Sequence, residues 1–171
     1  RGMTMQHACV FVILGATGDL TKRKLIPAIY KMITSGKIAH FAIVGVSVDD
    51  TTMQQVFGQA RQFVHDIREA VWDRMIQASY YHRMDFNDHA AYGQLHTLIS
   101  SVEQKHQIKA NRLFYLATMP HHFMVITQQL AAHGIVVRCA EECDTLGHTW
   151  QRIVYEKPFG DSLASSRQIN E

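Results

Sequence analysis

The stretch VFVILGATGDL, residues 10–20, decides how this chain is to be read. Its first half is a continuous apolar run, partly β-branched, that stops at Gly15. A short run without polar alternation reads as a parallel strand covered on both faces. The second half, Gly15-Ala16-Thr17-Gly18, joins that strand directly to a helix expected from Asp19 onward. A glycine turn in this position lets backbone N–H groups and the positive end of a helix approach a phosphate closely. Thr17 adds a hydroxyl donor. The spacing is G-x-x-G and not G-x-G-x-x-G, so its weight comes from the strand–turn–helix setting. An ordinary tight turn, with Asp19 favouring the helix start through the macrodipole, would read the same way.

Outward from this unit the same grammar repeats. FAIVGV (41–46) and RLFYLAT (112–118) are further apolar strands, RIVY (152–155) is a shorter one, and SYYHRMDF (79–86) and GIVVRCA (134–140) are weaker candidates. Between them, Tyr92, Leu95, Ile99 and Val102 recur at helical spacing, as do Phe123, Ile126 and Leu130 after Pro120, and 52–77 carries one or two more helices. Pro27 falls about two turns into the helix expected over 19–34, which predicts either a kink or a second helix starting at the proline. Alternating strands and helices imply an α/β domain: a Rossmann-like, doubly wound, mainly parallel sheet with helices on both faces.

The bulk properties bound the function. At 171 residues, with 47% hydrophobic and 19% charged residues, the chain suits one globular domain. A net charge of +2 is too mild for a nucleic-acid binder, and no apolar run is long enough for a membrane span. Three cysteines, an odd number, read as free thiols in a reducing, cytoplasmic setting. The spacing of Cys139, Cys143 and His148 matches no standard zinc pattern, and no metal is expected. Residues 1–7 precede the first strand, and the Arg-Gly before Met3 reads as an expression remnant.

The end of the second strand bears on the nucleotide. An acidic side chain there hydrogen-bonds the 2′-hydroxyl of NAD, whereas a nearby arginine accommodates the 2′-phosphate of NADP. The sequence is VGVSVDDTT, with Asp49 and Asp50 available and no basic residue until Arg61. Alternatively, Asp50 or Thr51 caps the following helix.

With these residues in hand, the chain resembles the N-terminal coenzyme domain of the glucose-6-phosphate dehydrogenase family. Three motifs carry the resemblance: GATGDLTKRKLIPAIY (15–30), NRLFYLATMPHHF (111–123) and RIVYEKPFGDSLASSRQIN (152–170). The family oxidises glucose 6-phosphate at C1 to a lactone, passing hydride to NADP in the oxidative pentose phosphate pathway. By motif match, Gly15, Ala16, Thr17, Gly18, Asp19, Leu20, Thr21 and Lys22 line the coenzyme pyrophosphate and adenosine ribose. Asp85 and Phe86 approach the coenzyme, and Lys157 contacts both coenzyme and sugar phosphate. Where the family carries arginine and serine after the second strand, this chain has Val48 and Asp49, so the resemblance implies weakened NADP selectivity, with NAD comparable or better. Met119 replaces the first proline of the family's pair. His121 and His122 are expected at the surface.

The family's second domain, which supplies the histidine base, has no counterpart in the sequence. The resemblance therefore implies a single dinucleotide-binding domain over 1–171, ending within an expected helix at SRQINE. No catalytic base is expected in it, and it should be inactive alone. The full-length parent would be a homo-oligomer. A nucleotide-binding or regulatory module of the same family, lost to catalysis, is the alternative.

Overall fold

The computed structural model describes residues 8–137, 149–156 and 166–169. Six strands form one sheet: β1 (Ala8–Leu14), β2 (His40–Ser47), β3 (Ser79–Arg83), β4 (Arg112–Leu116), β5 (Gln151–Glu156) and β6 (Ser166–Ile169). Their spatial order is β3-β2-β1-β4-β5-β6; the first five run parallel and β6 is antiparallel to β5. All seven residues of β1 are buried, as its unbroken apolar run requires.

Helices cover both faces. A π-helical turn, Thr21–Leu25, leads into α1 (Ile26–Thr34), followed by α2 (Met53–Ala60) and α3 (Glu69–Gln77). These pack Ile26, Ile29, Phe57, Trp72 and Met75 against Phe11, Ile13 and Ile43 of the sheet. On the opposite face α4 (Ala91–His106) and α5 (Phe123–Ala132) bury Tyr92, Leu95, Ile99, Val102, Ile126 and Leu130 against Val10, Val12, Val44 and Phe114. Each such aliphatic side chain contributes roughly 1.5–3 kcal/mol through burial. Cys9 sits in the first of these cores as a free thiol, pushed up to about 12 by burial.

Pro27 falls in the first turn of α1, as the second of the two expectations has it, but the chain enters that helix from a π-helical turn without a break. The backbone stays right-handed helical through Leu20, Leu25 and Ile26, and Ile26 N–H bonds back to Thr21 O, five residues earlier. The widened turn lies where Pro27, lacking a donor, would disturb regular pairing. Three other expectations change. Thr52, and not Asp50 or Thr51, caps α2: its hydroxyl accepts from Gln55 N at 3.2 Å. The strand expected over 134–140 is absent from its described part, because Gly134 adopts φ +71° and turns the chain after α5. Residues 166–169 are β6 and not helix; their pairing satisfies the edge of β5 that would otherwise lie open.

The motif residues Asn111 and Arg112 are structural. Arg112 Nε and Nη2 donate to the two carboxylate oxygens of Glu103 at 2.7 and 2.9 Å, and Nη1 donates to Ile135 O at 2.7 Å. This buried fork ties α4, β4 and the turn after α5 together. Asn111 accepts from Trp150 N at 3.0 Å and so aligns β5 beside β4.

Candidate functional site

Sheet order reverses at β1, since β2 lies on one side of it and β4 on the other. Ligands of open α/β sheets bind at the carboxyl ends of the strands beside such a point. A cleft of about 710 Å³ opens there, walled by the glycine turn, the ends of β2 and β3, and the segment after β4.

The turn is held from below. Gly15 and Ala16 N–H both bond Val46 O, at 2.8 and 3.0 Å, and the buried Thr21 hydroxyl donates to Gly15 O at 2.8 Å. Gly15 has φ +111°, and a Cβ there would stand 2.6 Å from the Ala117 carbonyl oxygen. Gly18 differs: a Cβ on it would make only ordinary contact, 3.5 Å from Gly15 O. What its missing side chain leaves open is room in the cleft. Gly18 N–H closes the turn on Gly15 O at 3.2 Å, and the first α-type bond of the helix runs from Lys22 N to Gly18 O, so the Asp19, Leu20 and Thr21 amides have no helical acceptor. This is the arrangement that receives a phosphate, and the residues present fit a dinucleotide.

Of the residues expected from sequence, Gly15, Thr17, Gly18, Asp19, Leu20, Asp85 and Phe86 line this cleft. Ala16 and Thr21 are fully buried beneath it and shape the turn. Lys22 does not line it; Arg23 and Lys24 do. Arg23 lies 3.7 Å from Asp19 and its guanidinium stacks 4.6 Å over the Phe63 ring. Lys157 lies outside the described residues; β5, the strand before it, ends at Glu156 beside β4.

At the β2 end the side chains interlock. Thr17 Oγ1 donates to Asp49 Oδ2 at 2.5 Å, and Ser47 Oγ donates to the same oxygen at 3.3 Å. Tyr81 OH donates to Asp49 O at 2.6 Å and shares a 2.8 Å bond with Ser47. Burial raises the Tyr81 hydroxyl pKa, the bond to Ser47 opposes this, and Asp49 adds to the rise. Asp49 is thereby fixed over the glycine turn, with Val48 exposed beside it.

On the opposite wall Asp85 accepts from Asn87 N at 2.8 Å, and Tyr92 OH donates to Phe86 O at 2.8 Å. His121 is exposed, as expected, but His122 is half-buried, faces the cleft, and meets the Phe86 ring edge-on at 5.5 Å. Burial holds the His122 imidazole below its ordinary range, helped by His121 and opposed by Asp85. Ser47, Met84, Asn87, Ala117 and Thr118 also line the cleft and were not foreseen. Only sheet register brings them there. Among the described residues no group of three histidine, cysteine or acidic side chains could hold a metal ion, and no helix is long and apolar enough to cross a membrane. Cys139, Cys143 and His148 lie outside those residues.

The fold and this cleft together define a dinucleotide-binding domain of the Rossmann class. Comparison with known proteins narrows the class. A family model, "Glucose-6-phosphate dehydrogenase, NAD binding domain", matches residues 12–171. Glucose-6-phosphate 1-dehydrogenase of Bacillus subtilis is 35% identical, covering 97% of this chain and 32% of its own length. That of Chlamydia muridarum is 33% identical, covering 95% and 33%. A solved structure of a glucose-6-phosphate dehydrogenase in complex with its substrate glucose-6-phosphate superposes with a TM-score of 0.71 at 25% identity, over 92% of this chain and 32% of that one. The chain belongs to the glucose-6-phosphate dehydrogenase family and corresponds to its NAD binding domain. It spans about a third of the length of the curated relatives it matches.

Proposed function

We propose that this chain is the coenzyme-binding domain of a glucose-6-phosphate 1-dehydrogenase, which oxidises glucose 6-phosphate to 6-phosphogluconolactone. The observation that carries the reading is the convergence of the glycine turn, Asp49 and the segment after β4 on one cleft at the sheet's switch point. When bound, the nicotinamide coenzyme supplies the hydride acceptor. The chain's own groups bind and orient. The free amides of the helix N-terminus, Asp19 to Thr21, take the pyrophosphate, with Arg23 and Lys24 near it. The Asp49 carboxylate, held by Thr17, accepts from a ribose hydroxyl. Lys157, directly after β5, is our candidate for contact with both coenzyme and sugar phosphate, a positioning role for a cation. The base that removes the C1 hydroxyl proton, as hydride leaves C1, belongs in our reading to the part of the relatives that this chain does not span. The family resemblance supports placing the enzyme in the cytoplasm, as a homo-oligomer of the oxidative pentose phosphate pathway, with this domain inactive alone.

Because Asp49 stands at the ribose and Val48 offers no charge, we expect NAD to bind as well as NADP or better. Calorimetric titration of the chain with each coenzyme at physiological salt tests this. A hundredfold preference for NADP would refute the ribose assignment; no binding of either would refute the coenzyme reading.

A further inference from the structure

The chain has no lysine or arginine between Lys37 and Arg61, so the loop after β2 cannot itself supply a cation for a 2′-phosphate. The sheet supplies one from elsewhere. β3 runs parallel to β2 with Arg83 opposite Ser47, and Arg83 Nε donates to Val48 O at 2.9 Å. The guanidinium is thus anchored, through its inner nitrogen, on the residue beside Asp49. Its outer nitrogens make no hydrogen bond or ion pair with any described residue: neither the Asp49 nor the Asp50 carboxylate comes within 4 Å of it. Yet all three charges, Arg83, Asp49 and Asp50, bear on the Tyr81 hydroxyl, which itself donates to Asp49 O. The exposed side chain is therefore held against Val48, which lines the cleft together with Asp49, and its outer nitrogens are unspent among the described residues.

We propose that Arg83 is the cation that lets this cleft accept the 2′-phosphate of NADP, while Asp49 reads the 2′-hydroxyl of NAD, so that the domain takes both coenzymes. This deepens, and rests on, the coenzyme reading above. A planar guanidinium fixed through Nε presents two parallel N–H donors, the geometry that suits a phosphate. Arg23 and Lys24 do not duplicate it. They rise from the helix after the glycine turn, and Arg23 is occupied by Phe63 and Asp19. A charge there serves the pyrophosphate that NAD and NADP share.

The test is titration of the chain and its Arg83→Gln, Arg83→Lys and Arg83→Gln/Val48→Arg variants with NADP and NAD. Adenosine 2′,5′-bisphosphate and 5′-AMP serve as smaller probes. We expect Arg83→Gln to weaken NADP and the bisphosphate at least tenfold, with NAD and 5′-AMP changed less than twofold. Lysine should restore part of the loss, and the Val48→Arg addition most of it. An Arg83→Gln variant with NADP affinity within twofold of wild type overturns the proposal, as does an equal loss for NAD. Wild type that binds NAD but not NADP overturns it while leaving the coenzyme reading intact. Wild type that binds neither overturns both.

Discussion

Replacing Gly15 by alanine tests the turn on which the cleft is built, and the chain contains its own control. Gly15 and Gly36 both have positive φ, +111° and +83°. A side chain in the left-handed region costs about 1–2 kcal/mol at either site. Their surroundings differ. A Cβ at Gly36 meets nothing within 4 Å, whereas at Gly15 it stands 2.6 Å from Ala117 O and 2.8 Å from Ala117 C. Both obstructing atoms are backbone, and Ala117 N is bonded to Leu14 O at 2.8 Å, so neither can swing aside. Overpacking of this kind adds about 1–3 kcal/mol. Gly36→Ala should therefore cost about 1–2 kcal/mol and Gly15→Ala about 2–5. At this chain size 1 kcal/mol corresponds to roughly 2–4 °C in Tm. Thermal denaturation of the two variants gives the difference directly, and titration with NAD should show binding lost only in Gly15→Ala. Equal Tm values for the two variants, or a Gly15→Ala chain that binds NAD normally, would refute the steric argument.

Arg112→Met should cost about 3–5 kcal/mol in urea unfolding, because the Glu103 carboxylate is left buried without its partner. Adding Glu103→Leu should recover most of the loss, since it removes the stranded charge. For pH, burial holds the His82 imidazole below its ordinary 6.5 against a smaller upward pull from the Ala91 backbone, and its Nε2 is buried without a partner. The unfolded chain then binds the proton more readily than the folded one. Stability should be full above about pH 6.5 and fall as pH drops towards the lower, folded-state value. His106 and His122 shift the same way, both chiefly by burial. His82→Gln should flatten the fall measured by urea titration across pH 5–7; an unchanged slope would assign it to other groups.

How much of this was legible depended on whether a feature is local. β1, β2 and β4 announced themselves because strands buried on both faces must be apolar throughout, and the helices because Tyr92, Leu95, Ile99 and Val102 repeat at helical spacing. The glycine turn lies within one strand–helix junction and could be read from four residues. The rest needed geometry that no window contains. Arg83 meets Val48 only through the register of β2 and β3, and His122 reaches the cleft with the segment that follows β4. Apolar content alone misled at 134–137, the described part of the expected strand, where Gly134 turns the chain after α5.

The π turn at Thr21–Leu25 has a further meaning. It holds one residue more than a regular helix of the same course would. That surplus rotates the helical start by about 100° relative to the remainder. The glycine-turn end and the core-facing end of one helix are thereby set independently. Ile26, Ile29 and Ile33 keep their place in the core while Arg23 and Lys24 are turned to the cleft. In such a helix substitutions that tune the ligand wall and substitutions that tune packing fall on different sides of a mechanical clutch, so either set can change over generations without dragging the other with it.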